Sequence, residues 1–448
     1  MSITLPKRAA ALLGIGLMTM WPALYNGFPL YFSDSAMYIN GYPVAAAYPL
    51  WYALMARALG RFSLWLPLIV SSILTIFVVW CLLTRWFHLR VTSTLMVMTT
   101  TLVLTRLPWV NSLLMPDIYS GLSCAAVLAL VGHFDFKPMS ICLLAVIFAG
   151  LLFQTASLGV ISLMLALSII MSFAWKSVHS AISIVLASAI VICFSSNLIR
   201  FNKLSPNPAG GAIFFSKLVY SGVAQQYLAQ NCKHTHFAMC DYLPDLIPMQ
   251  GESGQPFLWK AIRNGASVSA LTRGWNDPSG EYERLVVDIT LQHPLEVVRT
   301  ALVDTFVLLL ARGETLISYT SAPAEFPFDG LYASYREKFE KAKQQQSALL
   351  PQHAVNVVAQ LTTLGSALLL TIFAVAGIQR DIILLTLGTW IANATVHATL
   401  VGAYPRYQDK VNWLLPLILL STIAERQTAR RGIRMKARDS HSRATSVS

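Results

Sequence analysis

Asp34 stands in the stretch Leu30 to Tyr38, LYFSDSAMY, between two serines and among aromatics, directly after the first long apolar run. A carboxylate held there can act as a general acid or base. Outside the polar region 200–352 the chain holds seven acids. Glu425 and Asp439 belong to a basic tail, and Asp135 and Asp381 sit beside Lys137 and Arg380. Asp34, Asp117 and Asp409 remain, each at the end of an apolar run on what reads as the outer side. Charge at membrane depth is costly and tends to be functional. Two carboxylates converging on one cleft suit proton transfer at a sugar or phosphate centre, so Asp34 and Asp117 are the expected catalytic residues. Asp117, just before Ile118, also reads as a helix N-cap, which is the structural alternative.

The same side carries more cations than topology needs: Arg57, Arg61, Arg106, Arg200, Lys203, Arg406 and Lys410. A guanidinium fork suits phosphate oxygens. Arg406, Lys410, Arg57 and Arg61 are therefore expected to bind a lipid phosphate, with general headgroup contact as the alternative. Tyr38, Tyr404, Tyr407 and His397 accompany these charges and are expected to contact substrate.

Apolar runs of about 18 to 22 residues recur, the length of a helix crossing a bilayer core. With 55% hydrophobic and 12% charged residues, the 448-residue chain reads as an all-α polytopic membrane protein. Residues 1–199 hold seven expected spans, with a first outer loop over 25–62. The second half of that loop, Ala45 to Phe62, has helical spacing and reads as an interfacial helix. Residues 200–352 hold 14 of the 21 acids and read as a mixed outer, periplasmic domain. Within them Leu295 to Leu310 is apolar enough to pass for a span. Parity with a cytoplasmic basic tail, 425–448, makes it interfacial or re-entrant instead. Three spans in 353–424 complete about ten, with both termini inside. The stretch Glu337 to Gln346, EKFEKAKQQQ, reads as a short solvated helix.

Much of the net charge of +12 lies in the tail, where seven Lys/Arg face two acids as a topology signal, so nucleic acid is not an expected partner. Cys81, Cys124, Cys142 and Cys193 lie in apolar runs. Cys232 and Cys240 share the polar region, where an oxidising compartment would join them as a disulfide. His234 and His236 stand between them, but this spacing matches no usual zinc pattern, and no metal site is expected.

An acid after the first span, a second in a later outer loop, and Tyr404-Pro405-Arg406-Tyr407 before the last span resemble the GT-C glycosyltransferases that use polyprenyl-phosphate sugars. The segment PRYQDKVNWLLPLI looks like the Arg-Tyr then Pro segment near the C-terminal helices of several such enzymes. The resemblance implies a bacterial inner-membrane transferase with its site facing the periplasm. Its donor would be lipid-linked, and its acceptor a lipid or polysaccharide. Carried over, the first-loop acid is Asp34 and the basic residue near the lipid phosphate is Arg406. The family often pairs acids in this loop, whereas Asp34 is followed by Ser35, and no W-W-D-Y-G occurs. No cofactor is expected, with a divalent metal left as an open alternative. Two other readings stand beside this one. A glycan polymerase or ligase would lean on Arg299 or His293. A transporter or flippase would use polar groups inside helices, here Gln154, Asn393 and His397.

Overall fold

The computed structural model describes residues 5–39, 46–132, 134–135, 137–171, 176–252, 255–262, 265–272, 274–275, 277, 279–310, 330–349 and 352–445. Its first half runs α1 Leu5–Thr19, α2 Trp21–Asn26, α3 Ser35–Ile39, α4 Leu50–Gly60, α5 Leu66–Trp86, α6 Val91–Leu104, α7 Leu107–Ser112, α8 Asp117–Gly132, α9 Pro138–Phe153, α10 Ala156–Ile170 and α11 Lys176–Phe201. These make a helical bundle. A helical cap follows: α12 Gly210–Tyr220, α13 Val223–Asn231, the short turns α14 Leu243–Leu246, α15 Pro256–Trp259 and α16 Val268–Thr272, then α17 Glu281–Gln292 and α18 Pro294–Leu310. The chain then returns through α19 Arg336–Glu340, α20 Gln352–Val375, α21 Arg380–Leu400, α22 Pro405–Asn412 and α23 Leu414–Thr445.

Four helices are long and apolar enough to cross a membrane, by length and composition: Leu66–Trp86, Ser177–Phe201, His353–Val375 and Arg380–Leu400. Ala10–Thr19, Val91–Leu104, Asp117–Gly132, Pro138–Phe153 and Ala156–Ile170 are apolar but shorter. The expected ten full spans are therefore not seen as ten helices of spanning length. The 16 residues of α8 rise only ~24 Å, against ~30 Å for a bilayer core. Asp117 at the start of α8 and the α9–α10 turn at Gln154 and Thr155 border a cavity.

The bundle is built around α8, whose residues Asp117 to Val131 are all buried. Small residues let its neighbours come close. A Cβ on Gly121 would fall on the Lys410 carbonyl of α22, and one on Gly150 of α9 would fall on the Ser123 hydroxyl of α8.

The cap corrects the expectation of a mixed domain. Among the described residues it is built of helices and holds no strand, and the isolated β-bridge of Leu30 with Leu113 lies in the bundle. Its apolar positions explain this. Phe215, Leu218 and Val219, then Tyr282, Leu285 and Ile289, recur three and four apart instead of alternating. They form a core separate from that of the bundle. Cys232 and Cys240 are joined beside it, with Cα atoms 5.6 Å apart. Closing so short a loop stabilises by about 2–3 kcal/mol. Replacing both cysteines by serine is expected to lower the unfolding midpoint of the cap. Thermal unfolding with and without reductant checks this, and equal midpoints for wild type and variant would refute it.

Helix α18 dips from the cap beside the bundle. Val297 joins the cap core, while Leu308 packs on Ala394 and Ala398 of α21. The Gln360 side chain donates to the Leu310 carbonyl at 2.7 Å, about two turns into α20. Leu295, Val298, Leu302 and Phe306 form its exposed apolar stripe. Glu314, Glu325 and Asp329, counted among the acids of this region, lie outside the described residues.

The stretch read as a solvated helix is one in its first half, where Glu337, Lys338, Glu340 and Lys341 are exposed, but its second half is an anchor. Gln344 is buried, and its amide clamps Tyr31 from both sides. It accepts from the Tyr31 N–H at 3.0 Å and donates to the Tyr31 carbonyl at 2.6 Å. Asn26 ties down the same turn by accepting the Gln344 N–H at 2.7 Å. A glutamine amide reproduces the donor–acceptor pair of a neighbouring strand, so this extended segment stays satisfied without a sheet. It leads directly to Asp34.

Candidate functional site

Helix α22 organises the site. It carries Arg406, Asp409 and Lys410, and each pairs with the opposite charge on a different part of the chain. Arg406 Nη1 lies 3.5 Å from Asp34 Oδ2, Lys410 Nζ lies 2.8 Å from Asp117 Oδ1, and Asp409 pairs with Arg106. The Lys410 side chain is fully buried and those of Asp117, Arg106 and Asp409 nearly so. The Arg406–Asp34 pair stays partly open.

Local sequence explains how each group is held. Ser35 opens α3 and accepts the Phe32 N–H through its hydroxyl, fixing the turn that presents Asp34. Tyr48 donates to Asp34 Oδ1 at 3.2 Å. Pro116 precedes α8 and places Asp117 in its first turn, where helix N–H groups favour a negative charge. At the far end of α21, Gly402 adopts φ 121°, a conformation favoured by glycine, and turns the chain into α22. Arg406 lies over the Phe32 ring, 4.3 Å from its centroid. The His397 ring stacks on Tyr407 at 4.5 Å, and neither imidazole nitrogen has a hydrogen-bond partner among the described residues.

These groups open on one cavity of about 870 Å³ between bundle and cap. Asp34, Asp117, Tyr38, Tyr404, Tyr407, His397 and Arg406 all line it. Its other wall is apolar, with Ile213 and Phe214 of α12, Val286 and Val287 of α17, and Leu400. Asp117 Oδ2 is buried without a hydrogen-bond partner among the described residues. The site thus offers one guanidinium, two carboxylates from distant segments and an apolar flank. That set can bind a phosphate, withdraw a proton and lodge a lipid.

Other expected residues fall elsewhere. Lys410 is not part of the lining; it sits behind Asp117 and neutralises it. Arg57 does not line the cavity either. It donates to the Tyr38 carbonyl at 3.1 Å and weakly to that of Met37, capping the last turn of α3. A cation is favoured at that helix end. Arg61 is exposed just beyond α4 and is also absent from the lining. Asp117 makes no cap hydrogen bond among those seen; its partner is Lys410. Among the described residues no group of three or more His, Cys, Asp or Glu is gathered as for a metal ion.

Burial raises the Asp34 carboxyl above the ordinary carboxylate range, Arg406 opposes this, and the charge of Asp117 adds to it. If Asp34 is the base, it works only when ionised. The acid limb of the rate profile is then expected above the pH at which a free aspartate titrates, near 3.9. Removing the opposing guanidinium by Arg406→Ala is expected to move that limb further up. A pH profile of turnover checks the sign, and a limb displaced downward would contradict it.

Sequence reasoning missed the charge pairing, the Gln344 clamp, Tyr48 and the cap residues Glu283, Trp259 and Trp275 that also line the cavity. One signal was available. The acids Asp34, Asp117 and Asp409 are scarce and share their side with a surplus of cations, three of which, Arg106, Arg406 and Lys410, prove to be their partners. No protein-family model, curated protein or solved structure matches the chain.

Proposed function

We propose that this chain is a membrane glycosyltransferase of GT-C layout. It moves a sugar from a polyprenyl-phosphate donor to a lipid or glycan acceptor at the outer face of a bacterial inner membrane. The observation that carries this reading is the meeting of Asp34 and Arg406, from opposite ends of the sequence, on one cavity with an apolar flank. About ten crossings, both ends inside, fit the proposal if the five shorter apolar helices and the apolar start of α23 also traverse the bilayer beside the four long ones. The cap and the cavity then face the periplasm.

The chemistry follows from the charges. At rest each carboxylate has its own cation, so Asp34 is engaged by Arg406. A donor phosphate entering along Leu400 and Val287 brings a competing anion, and the guanidinium turns to it. Asp34 is thereby released to accept the proton of an acceptor hydroxyl. The hydroxyl oxygen bonds to the anomeric carbon as the bond from that carbon to the phosphate oxygen breaks. Polyprenyl phosphate leaves with the electron pair, its charge met by Arg406. Asp117 stays paired with Lys410 and orients the base through its field.

The polymerase or ligase alternative has less support, because Arg299 and His293 do not line the cavity. The flippase alternative has less as well. Gln154 and His397 do line the cavity, but Asn393 is engaged by Tyr407 and Gln408, and α8 is buried along its length.

The test uses the full chain reconstituted in liposomes with a radiolabelled polyprenyl-phosphate hexose. Release of polyprenyl phosphate is expected, with donor binding weakened about tenfold or more in Arg406→Ala and only partly restored in Arg406→Lys. Unimpaired donor binding by Arg406→Ala would remove the proposal.

A further inference from the structure

We infer that Trp259 and Trp275 form a sugar-stacking subsite in the cap wall of the cavity, so that the acceptor is a carbohydrate and not a bare lipid. This rests on the transferase reading above for the word acceptor, but the binding site stands on its own observations.

Trp259 ends α15 and is 54% exposed, although the cap core is immediately beside it. Its neighbour Phe257 is fully buried against Phe215 and Tyr282, with ring centroids 5.1 and 5.7 Å away. The helix turn therefore has a place for an aromatic in the core, and that place is filled by Phe257. Trp259 is directed into the cavity instead. Trp275 stands against it, centroids 4.8 Å apart and planes tilted by 54°. Two indoles at such an angle offer a shallow apolar step and not a closed stack. The C–H face of a pyranose matches that step, while its hydroxyl rim needs hydrogen-bond partners.

Those partners are present. Glu283 lines the same cavity and gives one oxygen to Lys203 at 2.7 Å. Its other oxygen, Oε2, is buried and has no hydrogen-bond partner among the described residues. The backbone of α12 makes room for it, since a Cβ on Gly211 would come within 2.7 Å of the Glu283 carboxyl carbon. The Glu283 side chain as a whole is 43% exposed, so its carboxylate can take a donor from a ligand in the cavity. A hydroxyl supplies that donor and an alkyl chain does not.

The wall is also preorganised. Asp277, buried next to Trp275, accepts from the Ser279 hydroxyl and from the Tyr282 N–H at 2.7 Å. Gln255, one turn before Trp259, donates weakly to the Val401 carbonyl and spans the gap between cap and bundle. The indole step therefore shares one cavity with Asp34.

A glycan array of oligosaccharides ending in glucose, galactose, mannose and N-acetylglucosamine, probed with the solubilised full chain, tests the inference. At least one glycan is expected to bind and to shift tryptophan emission. Trp259→Ala, at an exposed position, is expected to weaken that binding about tenfold and Trp259→Phe to retain part of it. No bound glycan, or equal binding by Trp259→Ala, overturns the subsite. Tryptophan-dependent glycan binding without any turnover of polyprenyl-phosphate hexose would sustain the subsite and defeat the transferase reading. Turnover with an acceptor KM unaffected by Trp259→Ala would do the reverse.

Discussion

Asp34→Asn is expected to lower sugar transfer by ~10²-fold or more while donor binding stays within a few fold of wild type. The amide keeps the shape of the carboxylate and can still accept from Tyr48. It cannot take a proton from the acceptor. It also removes the anion that engages Arg406 at rest, 3.5 Å away, so the guanidinium becomes freer to meet phosphate. Donor binding should therefore hold or tighten as transfer falls. This split separates a base from a structural carboxylate, whose loss would disturb both. Measuring lipid-phosphate sugar binding and transfer on the same preparation decides it. Full transfer by Asp34→Asn would end the mechanism proposed here.

Lys410→Met is expected to destabilise the protein by about 3–5 kcal/mol, the cost of leaving one partner of a buried pair alone. Methionine fills the space of the lysine stem but leaves Asp117 charged in a site where its side chain is only 3% exposed. The second carboxylate oxygen already has no hydrogen-bond partner among the described residues, so little remains to compensate. Asp117→Leu combined with Lys410→Met is expected to recover most of the loss, since neither charge is then buried. Thermal unfolding of the three variants in detergent tests the pair as a unit. A single variant with an unchanged midpoint, or a double variant no better than the single, would show that the two charges act independently.

The two residues illustrate what could be read from the chain and what could not. Helices were legible because apolar residues recur at the helical period over long runs. Asp34 and Asp117 stood out because acids are scarce between those runs. Their cations were legible as a surplus on one side. Their partnership was not, because Asp117 and Lys410 are brought together by the close contact of α8 and α22 at Gly121, which no local pattern announces. Arg57 was misplaced for a related reason. Its spacing from Arg61 describes one helix face, while its actual role depends on α3 ending within its reach. The Gln344 clamp was hidden because a polar run looks the same in sequence whether it meets water or a backbone. The cap's helices obeyed the three-and-four spacing, but a high acid content had masked it.

The three ion pairs of α22 also set an order of events during synthesis. Asp34, Arg106 and Asp117 are made 372, 303 and 293 residues before their partners Arg406, Asp409 and Lys410. Until then the two acids lack the cations they pair with in the finished bundle, and the nascent bundle has reason to stay loosely packed around that end. Insertion of the short segment from Pro405 to Asn412 neutralises all of them within two turns of helix. A chain broken off before Pro405 would hold every long helix except the last and still carry its charges unreconciled. Such a chain would keep Asp34, Arg106 and Asp117 without the partners that they meet in the folded protein beside the cavity.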